Sequence, residues 1–277
     1  MTHARYLTIL LISLLFASVC LSQQSPQYLL QKDDTLLREK YLAETAAKEK
    51  LALSNADKRY SGDYKKIYKE EYGRIEEFWS GTSAITDPGV NNYLQAIVQK
   101  IISSNPELRS TDARIVFSRD WWPNAYSMGD GSIAINAGLY IFLKNEAELA
   151  FVISHELAHY YLQHNEKAIQ RYVEKINDKE YQKKLKQISR GGYSVNKQLD
   201  DLLKTMVFDT RRHGRSNEAE ADEYGLRFMK NTGYDCNAIK TSLQTLDNID
   251  DTTYFNKPPV IETELDFPGY PFKQSWI

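Results

Sequence analysis

Residues 145–165 read NEAELAFVISHELAHYYLQHN. Asn145 and Glu148 stand three residues apart, the arrangement of a capping box at a helix start. Beyond them Leu149, Ala150, Val152, Ile153, Leu157 and Ala158 leave the segment apolar around most of its girth, which predicts a buried helix. On that helix His155 and His159 are one turn apart and leave the same face. This is the spacing at which one helix gives two ligands to a tetrahedral zinc ion. Glu156 lies beside them, placed to take a proton from a water held by such a metal. Two imidazoles and a carboxylate in a buried helix are costly unless something satisfies them, and a metal ion does so. A surface helix with two incidental histidines is the plainer reading. The apolar flanks and the scarcity of histidine, 5 in 277 residues, weigh against it.

A catalytic zinc takes three protein ligands and a water, so one donor is still to be found. The candidates are His164, His213, Glu218, Glu220 and Asp222. The metzincin arrangement, a glycine break followed by a third histidine, is excluded because Leu162 and Asn165 occupy those places. His164 is nine residues beyond His155, so helical rotation points it away from the pair. It reads as a structural or exposed histidine near a helix C-terminus. Residues 216–222 read SNEAEAD. Glu218 and Asp222 share a helix face, so one can bind metal while the other holds a ligand histidine by its second ring nitrogen. Glu220 falls on a different face, and Ala219 and Ala221 are small enough to let another helix come close. A solvated acidic helix start remains the alternative.

Around these two segments the chain organises as follows. Residues 23–60 are rich in Lys, Glu, Gln and Ala, with a thin stripe of Leu36, Leu37, Leu42, Leu51 and Leu53. They suit one or two amphipathic helices packed on the catalytic domain, or a solvated linker. Asp87-Pro88-Gly89 opens a helix carrying Tyr93, Leu94, Ile97, Val98, Ile101 and Ile102, and Asn105-Pro106 ends it. Residues 113–118 form a strand, Trp121 to Tyr126 a turn-rich aromatic segment, and Asp130-Gly131 a tight turn. Ser132, Ile133, Ala134, Ile135 and Asn136 alternate as a second strand, and residues 137–143 carry a short helix. A charged run covers 166–190, broken by Gly191-Gly192. Helices follow from Leu199 to about Thr210 and from Asn217 to about Asn231. The expected fold is α+β, a mainly helical zincin-like domain with a small sheet beside the zinc helix.

Composition narrows the class further. Apolar content of 42% and charged content of 26% are those of a globular protein. A net charge of -2 points neither to nucleic acid nor to a strongly acidic partner. Cys20 and Cys236 are the only cysteines, so neither a disulfide framework nor a cysteine-rich structural zinc site is available. Residues 1–22 read as a signal peptide: Arg5, then a nearly unbroken apolar run from Tyr6 to Val19, too short to span a bilayer comfortably. An uncleaved anchor, or lipidation of Cys20 after the lipobox-like Ala17-Ser18-Val19, would tie the chain to a membrane. Each of these places the mature protein outside the cytoplasm: periplasmic, envelope-associated or secreted. With Cys20 removed, Cys236 is expected as a buried free thiol. The divisions are therefore 1–22 signal peptide, 23–80 helical extension, 81–250 metallopeptidase domain and 251–277 proline-rich extended tail.

Four stretches together resemble the HtpX-type and prenyl-CAAX-endopeptidase-type gluzincins, peptidase family M48. They are Pro123-Asn124-Ala125-Tyr126; Gly131 to Asn136 with Gly138-Leu139; Glu148 to His159 with His164; and Arg215 to Glu218 with Ala221-Asp222. The resemblance runs from about Thr86 to about Gly233. It implies His155, His159 and Glu218 as ligands of one zinc ion per chain, Glu156 as base, and Asp222 behind a ligand histidine. Ser216 and Asn217 depart from the charged residues common after the arginine, and the multi-span membrane helices of several members are missing, which fits an exported soluble member. For steadying the transition state the candidates are His213, Arg215 and a tyrosine such as Tyr224 or Tyr234. The expected activity is zinc-dependent endopeptidase cleavage of extended or unfolded protein segments in envelope quality control, with the Ser132–Asn136 strand pairing with substrate. The rival is a zinc-containing chaperone or scaffold whose cleft is blocked by residues 166–190 or by the tail.

Overall fold

The structure, a computed structural model, describes residues 33–191 and 195–250. The expectations for the signal peptide, Cys20 and the proline-rich tail lie outside those residues. Helix α1 (Thr35–Asn55) starts where Asp34 accepts the amide of Leu37. Helix α2 (Ser61–Ser80) turns one stripe inward, Tyr64, Tyr68, Tyr72, Ile75 and Trp79, all at helical spacing. The leucine stripe expected on the first helix is only half right, because Leu36 and Leu51 are 75% and 60% exposed. Leu42 and Leu53 pack beside the tyrosines of α2. Helix α3 (Pro88–Ser104) begins as expected: Asp87 accepts the amides of Gly89 and Val90, and Pro88 takes the first turn, where its missing N–H costs nothing. Leu94, Ile97, Val98, Ile101 and Ile102 are buried, but Tyr93 stays largely exposed and bonds Glu146.

Four strands form one sheet: β1 (Ala84–Ile85), β2 (Arg114–Ser118), β3 (Ala125–Ser127) and β4 (Ser132–Asn136), in the order β1-β2-β4-β3. The central pair β2 and β4 is parallel, with Ile115 opposite Ile133 and Phe117 opposite Ile135; both outer strands run antiparallel. Every residue of β4 is buried. Its alternation is of side, not of exposure. Ile133 and Ile135 join Ile115 in a core with α3, while Ala134 and Val116 pack on the Tyr64–Trp79 stripe of α2. The N-terminal helices are therefore a covering layer of the sheet and not a solvated linker.

Arg114 ties that layer in place. Its guanidinium, 5% exposed, reaches Asp130, Glu44, Thr45 and Ser132 and lies near the rings of Tyr41 and Trp79. The chain from β4 passes through the short helix α4 (Ala137–Tyr140) into α5 (Glu146–Tyr161). Gly138 belongs here because a Cβ would collide with the backbone of Trp121. Asn145 caps the helix by accepting the amide of Glu148, whose carboxylate reaches one residue further back, to the amide of Lys144. Helix α5 is buried on most sides, as its composition requires.

Helices α6 (His164–Ile176) and α7 (Lys179–Ser189) carry the charged run. Ile169 and Val173 dock α6 on the tyrosine face of α2, and α7 buries no residue. Helix α8 (Val195–Lys230) is continuous, so the two helices expected on either side of residues 211–216 are one. Helix α9 (Asn237–Asp250) follows a turn in which Cys236 is exposed, not buried: Asp235 caps Asn237 on the surface and brings the neighbouring thiol out with it. Among the described residues no helix is long and apolar enough to cross a membrane.

Candidate active site

Helices α5 and α8 cross at the site. The crossing is close because Ala221 is fully buried and Gly225 has no side chain; a Cβ there would stand 3.1 Å from both the N and the Cα of His155. Contact this tight brings the acidic start of the SNEAEAD segment onto the histidine face of α5. One ligand atom from each of His155, His159 and Glu218 lies within 4.8 Å of the others. Both imidazoles turn Nε2 inward. His155 Nε2 is 3.3 Å and His159 Nε2 3.6 Å from Glu218 Oε2, and the two nitrogens are 3.1 Å apart. Behind the first ring, His155 Nδ1 sits 2.9 Å from Asp222 Oδ1. The face shared by Glu218 and Asp222 thus gives one carboxylate to the centre and one to the back of a ring.

The electrostatics match a cluster built for positive charge. Burial works against a charged His155, yet its hydrogen bonds to Asp222 and Glu218 prevail and raise the metal-free imidazole to about 10. Hydrogen bonds from His155 and His159 hold Glu218 well below the usual carboxylate range. Glu156 is buried and its pKa is pushed up by that burial, against the opposing pull of the two histidines and of the nearby Ser127 backbone.

His164 departs from the sequence reading. Helix α5 stops at Tyr161, and Gln163 adopts the left-handed conformation at φ 56 and ψ 42, so helical rotation no longer governs the next residue. The chain doubles back, and His164 is buried against His159 instead of pointing away, with Nδ1 2.9 Å from Nδ1. Its Nε2 is 3.2 Å from Glu220 Oε2. Glu220 does leave α8 on a different side from Glu218 and finds its partner there.

Two hollows meet at Glu156, His155 and Glu218. One, about 330 Å³, is walled by Tyr126, Ser127, Tyr160, Asn165, Glu166 and Asn217. The other, about 410 Å³, is lined by Leu139, Phe151, Val152, Leu243 and Leu246 together with Pro123, Asn124 and Ala125. The start of the charged run therefore walls the first hollow; it does not plug it. The substrate-strand expectation needs correction. Residues Ser132, Ile133, Ala134, Ile135 and Asn136 have a strand on each side, β2 and β3, and no free edge. The strand that borders both hollows is β3, whose one pairing among the described residues is with β4. The alternation of 132–136 suggested a strand but could not tell an edge from an interior position.

The candidates for steadying a transition state do not gather here. His213 and Arg215 are exposed on α8 and line neither hollow. Tyr224 packs between Tyr161 and Phe228, and Tyr234 gives its hydroxyl to Glu146 at 2.6 Å. The sequence reading missed the His164–Glu220 contact, the Ser127 backbone near Glu156 and the role of Gly225. Only the last had a signal, a small residue seven positions after Glu218 on a helix already marked by Ala221.

The chain's residues 88–264, more than half of it, match the model of Peptidase family M48. Curated relatives agree. A Vibrio cholerae protein named, in provisional form, as a beta-barrel assembly-enhancing protease is 25% identical over 211 residues, 71% of this chain and 40% of that protein. The Escherichia coli K12 beta-barrel assembly-enhancing protease is 22% identical over 196 residues, 68% of this chain and 38% of that protein. The Yersinia pestis protein of the same name is 23% identical over 202 residues, 67% and 38%. The chain thus spans about two fifths of the length of these relatives.

Proposed function

The chain belongs to peptidase family M48, and from that membership we propose that it is a zinc-dependent endopeptidase of an exported compartment, cutting extended or unfolded protein segments. The observation that carries the proposal is the convergence of His155, His159 and Glu218, drawn from two helices, beside a buried Glu156. The donor set fits zinc: two imidazole nitrogens and one carboxylate oxygen, a three-ligand set of the kind that leaves a corner for solvent. When bound, zinc would supply a Lewis acid that polarises a carbonyl and brings the pKa of a coordinated water to ~7.

The protein's own groups do the rest. Glu156 takes the proton of the attacking water and returns it to the leaving amine. Its raised pKa suits both halves of that transfer. Asp222 keeps the His155 ring turned with Nε2 inward. An extended segment lying along β3 would meet main-chain hydrogen bonds, which place little demand on its side chains. Such pairing favours unfolded stretches over folded surfaces. The signal-like N-terminus and the relatives' name support a role in the envelope, in protein quality control of the kind that the name beta-barrel assembly-enhancing protease describes.

Casein digestion by the purified chain is the test. Cleavage should occur, stop with a chelator and return with added zinc. Intact casein in the presence of folded, zinc-loaded protein would overturn the proposal and favour a scaffold that binds without cutting.

A further inference from the structure

The two imidazoles at the centre are held from behind in different ways. His155 meets a carboxylate directly, whereas His159 meets another histidine. We propose that Glu220 and His164 are positioning residues, a relay that fixes His159 in the one tautomer able to bind metal through Nε2. The inference rests on the zinc reading above and adds two residues to it.

The protons of the two rings can be placed one by one. A neutral histidine that offers Nε2 to a metal carries its proton on Nδ1. His159 turns Nε2 to the centre, so it donates from Nδ1. The nitrogen facing it, His164 Nδ1 at 2.9 Å, must then accept. That leaves the His164 proton on Nε2, 3.2 Å from Glu220 Oε2, and an ionised carboxylate can only accept. Read from the other end, the carboxylate dictates both tautomers in turn. The chain has one consistent set of protons, and it ends with a lone pair aimed at the centre.

Two features show that His164 is held for this contact. It is buried at the mouth of α6. It also follows Gln163, which among the described residues is the only one other than glycine with a positive φ. A continuous helix would have avoided that conformation and carried His164 away from His159. One consequence follows for α8: alternate residues 218, 220 and 222 supply a ligand and the anchors of both ligand histidines, so this single helix governs the whole cluster.

The test combines zinc affinity with imidazole nitrogen spectra. In the zinc-loaded protein, long-range proton–nitrogen-15 correlations should show His159 protonated on Nδ1 and His164 on Nε2. His164→Phe keeps the ring's bulk and removes the acceptor; zinc binding, measured against a chelating indicator, should weaken about 10–100-fold. His164→Asn places an amide oxygen near the position of Nδ1 and should recover most of that loss. Circular dichroism and melting of the metal-free variants separate relay from fold. His164 found protonated on Nδ1, or His164→Phe binding zinc as tightly as the parent, or Asn no better than Phe, would overturn the relay while leaving the peptidase reading intact. A parent protein that binds no zinc would overturn both. If His164→Phe does not fold, the spectra of the unsubstituted protein decide alone.

Discussion

Glu156→Gln should cut casein cleavage by about a hundred- to ten-thousand-fold, the usual worth of general acid–base transfer, and leave zinc content unchanged. The substitution keeps shape and removes the ability to exchange a proton. Glu156 is buried, and it is not one of the three groups that converge as ligands. Gln has nearly the same size and shape, so the helix and the centre stay in place. Steady-state cleavage and metal analysis on the same preparation check both halves. Retained activity would show that another group carries the proton; lost zinc would show that Glu156 belongs to the metal's own ligand set.

The largest effect on stability is expected far from the chemistry. Arg114→Met should destabilise the fold by about 3–5 kcal/mol, the cost of leaving a buried charge without its partner. Asp130 has a fully buried side chain and loses the guanidinium that faces it, Glu44 loses its link from α1 to the sheet, and Thr45 keeps only its own bond to Asp130. Urea denaturation of the metal-free protein measures it. Replacing Asp130 by Leu as well should restore part of the loss, because the orphaned charge is then gone. A single-variant loss below ~1 kcal/mol, the range of an exposed pair, would mean that the N-terminal layer is held by its tyrosine stripe alone.

What the sequence could and could not disclose divides along physical lines. Local signals survived. Asn145, Glu148 and Asp87 cap helices as their chemistry dictates, and the His155–His159 spacing put two rings on one face. Glu218 and Asp222, four residues apart, met those rings as a face-sharing pair can. Distant packing did not show. The alternation in Ser132–Asn136 marked a strand, which was expected to pair with substrate, but a covering layer from α2 buries its second side and β3 takes its edge. His164 was misplaced because rotation along an ideal helix holds only while the helix continues, and one left-handed residue ended it. Cys236 followed the general tendency of free thiols to be buried until a surface turn overrode it.

The central claim is that one divalent zinc sits among three side chains. Crystals of the zinc-loaded protein, with anomalous scattering recorded on both sides of the zinc edge, test it most directly. The account predicts a single peak per chain, about 2.0–2.2 Å from His155 Nε2, His159 Nε2 and a Glu218 oxygen, with Glu156 close by but unbound. A peak held by other residues, or no peak where those three groups meet, would contradict it.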